Sequence, residues 1–186
     1  MFSNGDAVLY GAEGVCRLEG STQREIGGKK LEYYVLKPVY RAGSTVFVPK
    51  GNETLTAKMR RVLSPEEIHK LIQEIPEEKE LWIENEGERR AEYGRIVSGG
   101  DRRELIRVIK ALYQRRQKQQ ELGKKFHLSD ERFLKEAEEK LHGEFALVLN
   151  IQPDQVTAFI RREIGAEEET EWGESATVSY THLTLP

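Results

Sequence analysis

Apolar and polar positions alternate through the first sixty residues and then recur at three- and four-residue steps, so the chain changes from strand to helix period near residue 63. Before that point the β-prone runs are 7–10, 15–18, 21–26, 30–39, 44–48 and 58–62. Gly11 and Gly14 bracket one tight turn, and Gly27-Gly28 is a two-residue hairpin signal. In the run 30–39, Leu31, Tyr33 and Val35 alternate with Glu32, Tyr34 and Leu36, which predicts one dry and one wet face. Pro49 cannot donate to a ladder and suits a strand end. Five or six short strands with glycine turns predict a small, strongly bent barrel.

Helix signals follow. Ser64-Pro65-Glu66-Glu67 combines an N-cap serine, a first-turn proline and a glutamate at the third position. Leu63, Ile68, Leu71, Ile72 and Ile75 supply its buried stripe, and Pro76 stops it. An acidic connector over 77–83 holds Trp82, and a polar helix over 85–97 is weakened by Gly94. The longest and best-formed helix is 101–122. Asp101 and Glu104 make a capping-box pattern, and Leu105, Ile106, Val108, Ile109, Leu112 and Tyr113 form one stripe. Arg103, Arg107, Lys110 and Gln114 fall opposite. Gly123 ends it; Ser129-Asp130 starts the next helix, and Pro153 opens a last one closed by Gly165. The expected fold class is therefore α+β: a β-barrel over 1–62, an all-α bundle of about five helices over 63–165, and a disordered acidic tail over 166–186. Residues 175–186, SATVSYTHLTLP, have no periodicity and read as translated sequencing-adaptor read-through rather than a natural terminus, so Tyr180 and His182 carry no weight.

Charge refines this picture. The net charge of −3 hides a division. Residues 1–63 carry ten Lys/Arg against six Asp/Glu, a net of +4, and 64–88 carry two against nine, a net of −7. Residues 89–125 carry twelve against four, a net of +8, and the tail from Ala166 has five glutamates and no Lys/Arg. Such alternation points to distinct surfaces for distinct partners. The basic stretch is a candidate phosphate-facing patch, although a solvated helix face is the plainer reading of any one such helix.

Little in the sequence points to catalysis. His69, His127, His142 and His182 form no metal-ligand spacing, Gly99-Gly100-Asp101 lacks the Gly-Lys-Ser/Thr of a phosphate loop, and no nucleophile–base pair is evident. The chain is expected to be no enzyme and to need no cofactor, metal or small-molecule substrate. A single cysteine, Cys16, excludes an internal disulfide and reads as a small buried hydrophobe. No apolar run approaches the ~20 residues of a membrane span and no secretory signal opens the chain, so a cytoplasmic home is expected.

Several motifs converge on one family. Gly5-Asp6-Ala7-Val8-Leu9-Tyr10, Gly14-Val15, Glu32-Tyr33-Tyr34-Val35-Leu36-Lys37 and Val46-Phe47-Val48-Pro49 resemble the CarD family of bacterial transcription regulators and the matching module of the transcription-repair coupling factor. Ser98-Gly99-Gly100-Asp101, opening a helix with Leu105, Val108, Ile109 and Leu112, extends the resemblance to about residues 2–164. The resemblance implies a Tudor-like (SH3-like) barrel that docks on the RNA polymerase β subunit, and a helical domain that meets promoter DNA at the upstream edge of the melted region. It implies a regulator, working as a monomer near the nucleoid, that stabilises the open complex, partly by a minor-groove tryptophan wedge. Arg24 matches a polymerase-contacting arginine of the family; a second such arginine falls at Phe47, so that contact is lost or changed. Lys29 and Arg41 complete the polymerase-facing set. The family tryptophan falls at Glu86, four residues beyond Trp82, whose readings are core or interdomain packing, DNA wedge, or protein contact. Arg89, Arg90, Arg102, Arg103, Arg107 and Lys110 are the phosphate-neutralising candidates. The rival reading is a polymerase-bound adaptor without DNA contact, using the acidic 64–88 surface for another protein.

Overall fold

A computed structural model describes residues 2–165. The acidic tail, with Trp172, Tyr180 and His182, lies outside the described residues. The chain is α+β. Its strands are β1 (Ala7–Tyr10), β2 (Gly14–Ile26), β3 (Lys29–Pro38), β4 (Val46–Pro49) and β5 (Met59–Arg61). All pair antiparallel in one sheet of order β4-β3-β2-β1-β5. The expected closed barrel is corrected here: β4 and β5 are the two edges and do not pair.

The runs 15–18 and 21–26, read as separate strands, are one thirteen-residue strand bent by a bulge between Leu18 and Gly20. A bulge shifts the side-chain alternation by one residue, which disguised the continuity. The hairpin turn falls at Gly27 and Gly28, both at positive φ, 59° and 75°, as a turn of this length requires. A short helix α1 (Glu53–Thr56), capped by the Asn52 side chain on the Leu55 N–H, had no periodicity by which to be read.

The core face of β3 is the one that carries Tyr34 and Leu36. Leu36 and Val48 are buried with Val8, Cys16, Leu18 and Met59, and Tyr34 packs against them. Leu31 and Val35 therefore face the other way, because successive side chains alternate across a strand. Cys16 is fully buried, and burial pushes its thiol up to about 12, which suits an inert packing residue.

The helices are α2 (Pro65–Glu74), α3 (Glu86–Gly99), α4 (Arg102–Glu121), α5 (Leu128–Leu149) and α6 (Val156–Glu163). At the start of α2 the Ser64 side chain accepts from the Glu67 N–H and the Glu67 carboxylate accepts from the Ser64 N–H. Ser64→Ala is expected to destabilise by about 1 kcal/mol, measured by urea unfolding; no change would mean the cap is redundant. At α4 only half of the box forms. Asp101 accepts from the Glu104 N–H, while the Glu104 carboxylate is taken by Arg95 at 2.8 Å. A Cβ at Gly94 of α3 would meet nothing within 4 Å. Gly94→Ala is accordingly expected to raise stability by about 0.5–1 kcal/mol in the same assay, and a loss would contradict this geometry.

The helical core gathers Ile68, Ile72, Tyr93, Ile96, Leu105, Ile109, Leu134, Phe145 and Val156 among others, and shares no buried residue with the core of the sheet. The two are joined by charged side chains bonded to main-chain groups. Arg60 donates to the Gly99 carbonyl at 2.6 Å, Arg102 to the Arg61 carbonyl at 3.0 Å, and Lys140 to the carbonyls of Gly11 and Val97. The Glu144 carboxylate, 1% exposed, accepts from the Leu63 N–H at 2.8 Å and from two Arg102 nitrogens at 2.6 and 2.8 Å. Close contact of α5 with the sheet is completed at Gly143, where a Cβ would sit 3.4 Å from the Tyr40 ring.

Candidate functional site

The outward face of the β2–β3–β4 sheet is the first candidate surface. Arg24 pairs across the ladder with Leu31, Ile26 with Lys29, and Val35 with Phe47. Paired residues share a face, as do alternate residues along a strand, so Arg24, Ile26, Lys29, Leu31, Val35 and Phe47 lie together. The Arg24 guanidinium carbon stands 3.7 Å from the Phe47 ring centroid, a cation–π contact that fixes the arginine over the half-buried ring. Ile26 and Leu31 are exposed large apolar residues near the hairpin tip. An arginine on an aromatic, bordered by solvent-facing aliphatics, is the composition of a protein-docking surface. Arg41 does not belong to it. That residue pairs with Glu13 at 3.2 Å beside a cleft of about 410 Å³ between the sheet and α5, where Tyr40 and Lys140 also stand.

Residues 2–63 match the model of the CarD-like/TRCF RID domain, the very stretch that builds this sheet. The chain carries a CarD-like/TRCF RID domain. The resemblance read from the motifs holds over these residues, and a domain of this kind, a protein-interaction domain, points to a transcription-related, RNA polymerase-interacting function. A search of curated proteins finds no match to the chain. No described helix is long and apolar enough to cross a membrane. Among the described residues, no group of three His, Cys, Asp or Glu is placed to hold a metal ion.

The basic stretch is arranged differently from the open patch expected of it. Arg89 is buried and forms a bidentate pair with Asp130, Nε to Oδ1 at 3.0 Å and Nη2 to Oδ2 at 3.1 Å. Its Nη1 donates to the Ile83 and Glu84 carbonyls. Arg89 is thus a core ion-pair residue, with no guanidinium left at the surface. Arg90 is paired with Glu86 on its own helix at 2.6 Å, and Arg102 with Glu144. Arg103 bridges Glu74 and Glu78, and these hydrogen bonds raise its pKa. Arg107 donates to the Lys79 carbonyl, and Lys110 to the carbonyls of Ile75, Pro76 and Glu78. The end of α2 and the acidic connector after it lie along the cationic side of α4, pairing Arg103 with carboxylates and giving Arg107 and Lys110 main-chain acceptors, so the −7 and +8 stretches meet each other at the surface of the chain. Asp130, read as a helix start, is the buried partner of Arg89, and α5 begins from His127 instead.

Trp82 lies against the helical core, half-buried, with Arg89 4.4 Å and Arg115 4.9 Å from its ring. Its Nε1 donates to Glu84 at 2.8 Å. The indole stands against two guanidinium groups, and its polar edge is satisfied.

Three cations of the basic stretch that the sequence reading did not single out stand at the far end of α4 and just beyond it. Lys118, Lys124 and Lys125 are exposed, and their ammonium groups have no hydrogen-bond or ion-pair partner among the described residues. Arg115 and Arg116 precede them, the latter 4.9 Å from the Tyr113 ring. The Tyr113 hydroxyl donates to Glu138, whose carboxyl is pushed up to about 7 by burial and then by the charge of Glu139. An acid raised from 4.5 to about 7 keeps a proton in the folded state that the unfolded chain has lost, so stability falls as pH rises between those values and levels off above them. Glu138→Gln is expected to stabilise at pH 8 and to change little at pH 4.5, by urea unfolding. The half-buried His142, whose pKa desolvation lowers to about 4, tilts the curve the opposite way and cancels between the two proteins. An equal effect at both pH values would contradict the assignment.

Proposed function

We propose that this chain is a transcription regulator whose RID domain docks on the β subunit of RNA polymerase through the Arg24–Phe47 face, while the helical body meets promoter DNA and prolongs the open complex. The strand order and the long β2–β3 hairpin suit the Tudor-like fold that the family implies. The observation that carries the reading is the Arg24–Phe47 stack on an outward apolar face within the matched residues. Phe47 stands where the family has a second arginine, so its ring acts as the platform that orients Arg24. Lys29 lies on the same face; Arg41, in the cleft with Glu13, stands apart from it.

For the DNA side, Lys118, Lys124 and Lys125 are lysines of the basic stretch with no hydrogen-bond or ion-pair partner for their ammonium groups among the described residues, while Arg89, Arg90, Arg102, Arg103, Arg107 and Lys110 are engaged within the chain. Neutralising phosphates requires cations that are not already neutralised. A factor that binds the melted state about tenfold better shifts the closed–open balance by the same factor. Open-complex lifetime on a promoter fragment should therefore lengthen with the protein, and Lys124→Glu with Lys125→Glu should abolish the gain. An unchanged lifetime with wild type contradicts the reading. The internal commitment of six cations favours the second reading, a polymerase-bound adaptor without DNA contact. Absence of low-salt DNA binding by the full chain would select it.

A further inference from the structure

The cleft of about 410 Å³ between the sheet and α5 is lined by an amine that no carboxylate pairs with. Lys140 of α5 is half-buried, and its Nζ donates to two main-chain carbonyls, that of Gly11 in the turn between β1 and β2 and that of Val97 in α3. Among the described residues it has no ion-pair partner. Charged groups surround it at longer range: Glu13 and Arg41 from the sheet side, Arg60 from β5, and Glu136 and Glu139 from α5 itself. Glu13 is taken by Arg41, and Glu136 by Arg132 at 2.8 Å. The Glu144–Arg102 pair lines a narrower gap that Lys140 also reaches.

Two carbonyl acceptors and no opposite charge suit a neutral amine as well as an ammonium ion. A neutral amine has two N–H bonds, one for each carbonyl, and keeps its lone pair. Burial, the largest influence, lowers the pKa of Lys140 to about 8, while the charges of Glu136, Arg41, Glu13 and Arg60 partly offset one another. At pH 8 about half of it is then uncharged, against less than about 1% of a solvent-exposed lysine. A half-buried lysine in that state is a nucleophile. Arg41, which spends its Nη1 on Glu13, lines the same cleft and supplies a cation for an anionic leaving group.

We propose that Lys140 is an acylation site and that the cleft admits the small acyl phosphate that modifies it. The neutral Nζ attacks the carbonyl carbon of the acyl group. The C–N bond forms, the C–O bond to phosphate breaks, phosphate leaves with the electron pair, and one Nζ proton passes to solvent. The resulting amide has one N–H where the amine had two, so either the Gly11 or the Val97 carbonyl loses its donor. Acylation thereby releases one of the polar contacts that join the sheet to the helical body.

The test treats the full chain with acetyl phosphate over a pH series from about 7 to 9.5 and follows each lysine by peptide mass spectrometry. At pH 8 Lys140 is expected to be acetylated about tenfold faster than the exposed Lys124 and Lys125. Its rate should level off above about pH 8, while theirs keep rising about tenfold per pH unit. Treatment should also lower the guanidinium unfolding midpoint of wild type more than that of Lys140→Arg, whose other lysines are modified alike. A Lys140 that stays unmodified, or whose rate climbs in parallel with the exposed lysines, overturns the proposal. Acetylation of Lys140 with equal midpoint shifts in the two proteins overturns its effect on the junction.

Discussion

Asp130→Ala is expected to lower the unfolding free energy by about 3–5 kcal/mol, the range for removing one partner of a buried ion pair. The guanidinium of Arg89 would stay buried, with the Ile83 and Glu84 carbonyls as its remaining hydrogen-bond partners. Because the same guanidinium lies 4.4 Å from the Trp82 ring, the loss should also be visible in tryptophan emission. Replacing both partners by apolar residues of similar volume, Arg89→Met with Asp130→Leu, should recover most of the stability, since desolvating the charged pair offsets much of its attraction. A double-mutant cycle by urea unfolding separates the two effects. An Asp130→Ala loss below about 1 kcal/mol would mean that the pair is hydrated and contributes as a surface pair does.

Glu144→Ala should have a comparable effect for a different reason. Its carboxylate satisfies the Leu63 N–H and both Arg102 nitrogens at the junction of sheet and helices. Truncation strands a main-chain donor and a guanidinium together, a loss of about 3 kcal/mol or more. The apolar clusters of sheet and helices share no buried residue, so this loss falls on the coupling between them. Unfolding should then split into two transitions, followed by near-UV dichroism and by Trp82 emission. Glu144→Gln, which keeps an acceptor for the Leu63 N–H, should lose less. A single, unshifted transition for Glu144→Ala would show that the junction does not depend on this carboxylate.

Local signals carried much of the fold. The caps at Ser64 and Asp101, the Gly27-Gly28 turn and the stripe of α4 were legible because each is a contact within a few residues. Closure of the sheet was not, since whether β4 meets β5 depends on curvature along the whole ladder. What the sequence did not reveal is where charges meet across long separations. Arg89 and Asp130 are 41 residues apart, and Arg103 reaches back 25 and 29 residues to Glu78 and Glu74. One signal was available. Arg89 continues the stripe Tyr93, Ile96, Val97, and Asp130 continues Leu134, Ala137, Leu141, at the spacing of a buried helix face. A charge on such a stripe is a candidate for an internal pair, which α4's outward arginines did not announce. The Arg24–Phe47 contact was likewise out of reach, because it spans three strands whose register the bulge at Leu18/Gly20 resets.

The central claim is that the outward face of the RID domain grips RNA polymerase. Its most direct test is retention of purified core polymerase by the immobilised full chain, wild type against Arg24→Glu. Wild type should retain polymerase, and Arg24→Glu should lose at least about tenfold in affinity, because it reverses the one charge seated over Phe47. Equal retention by the two proteins, or none by wild type, would contradict the account.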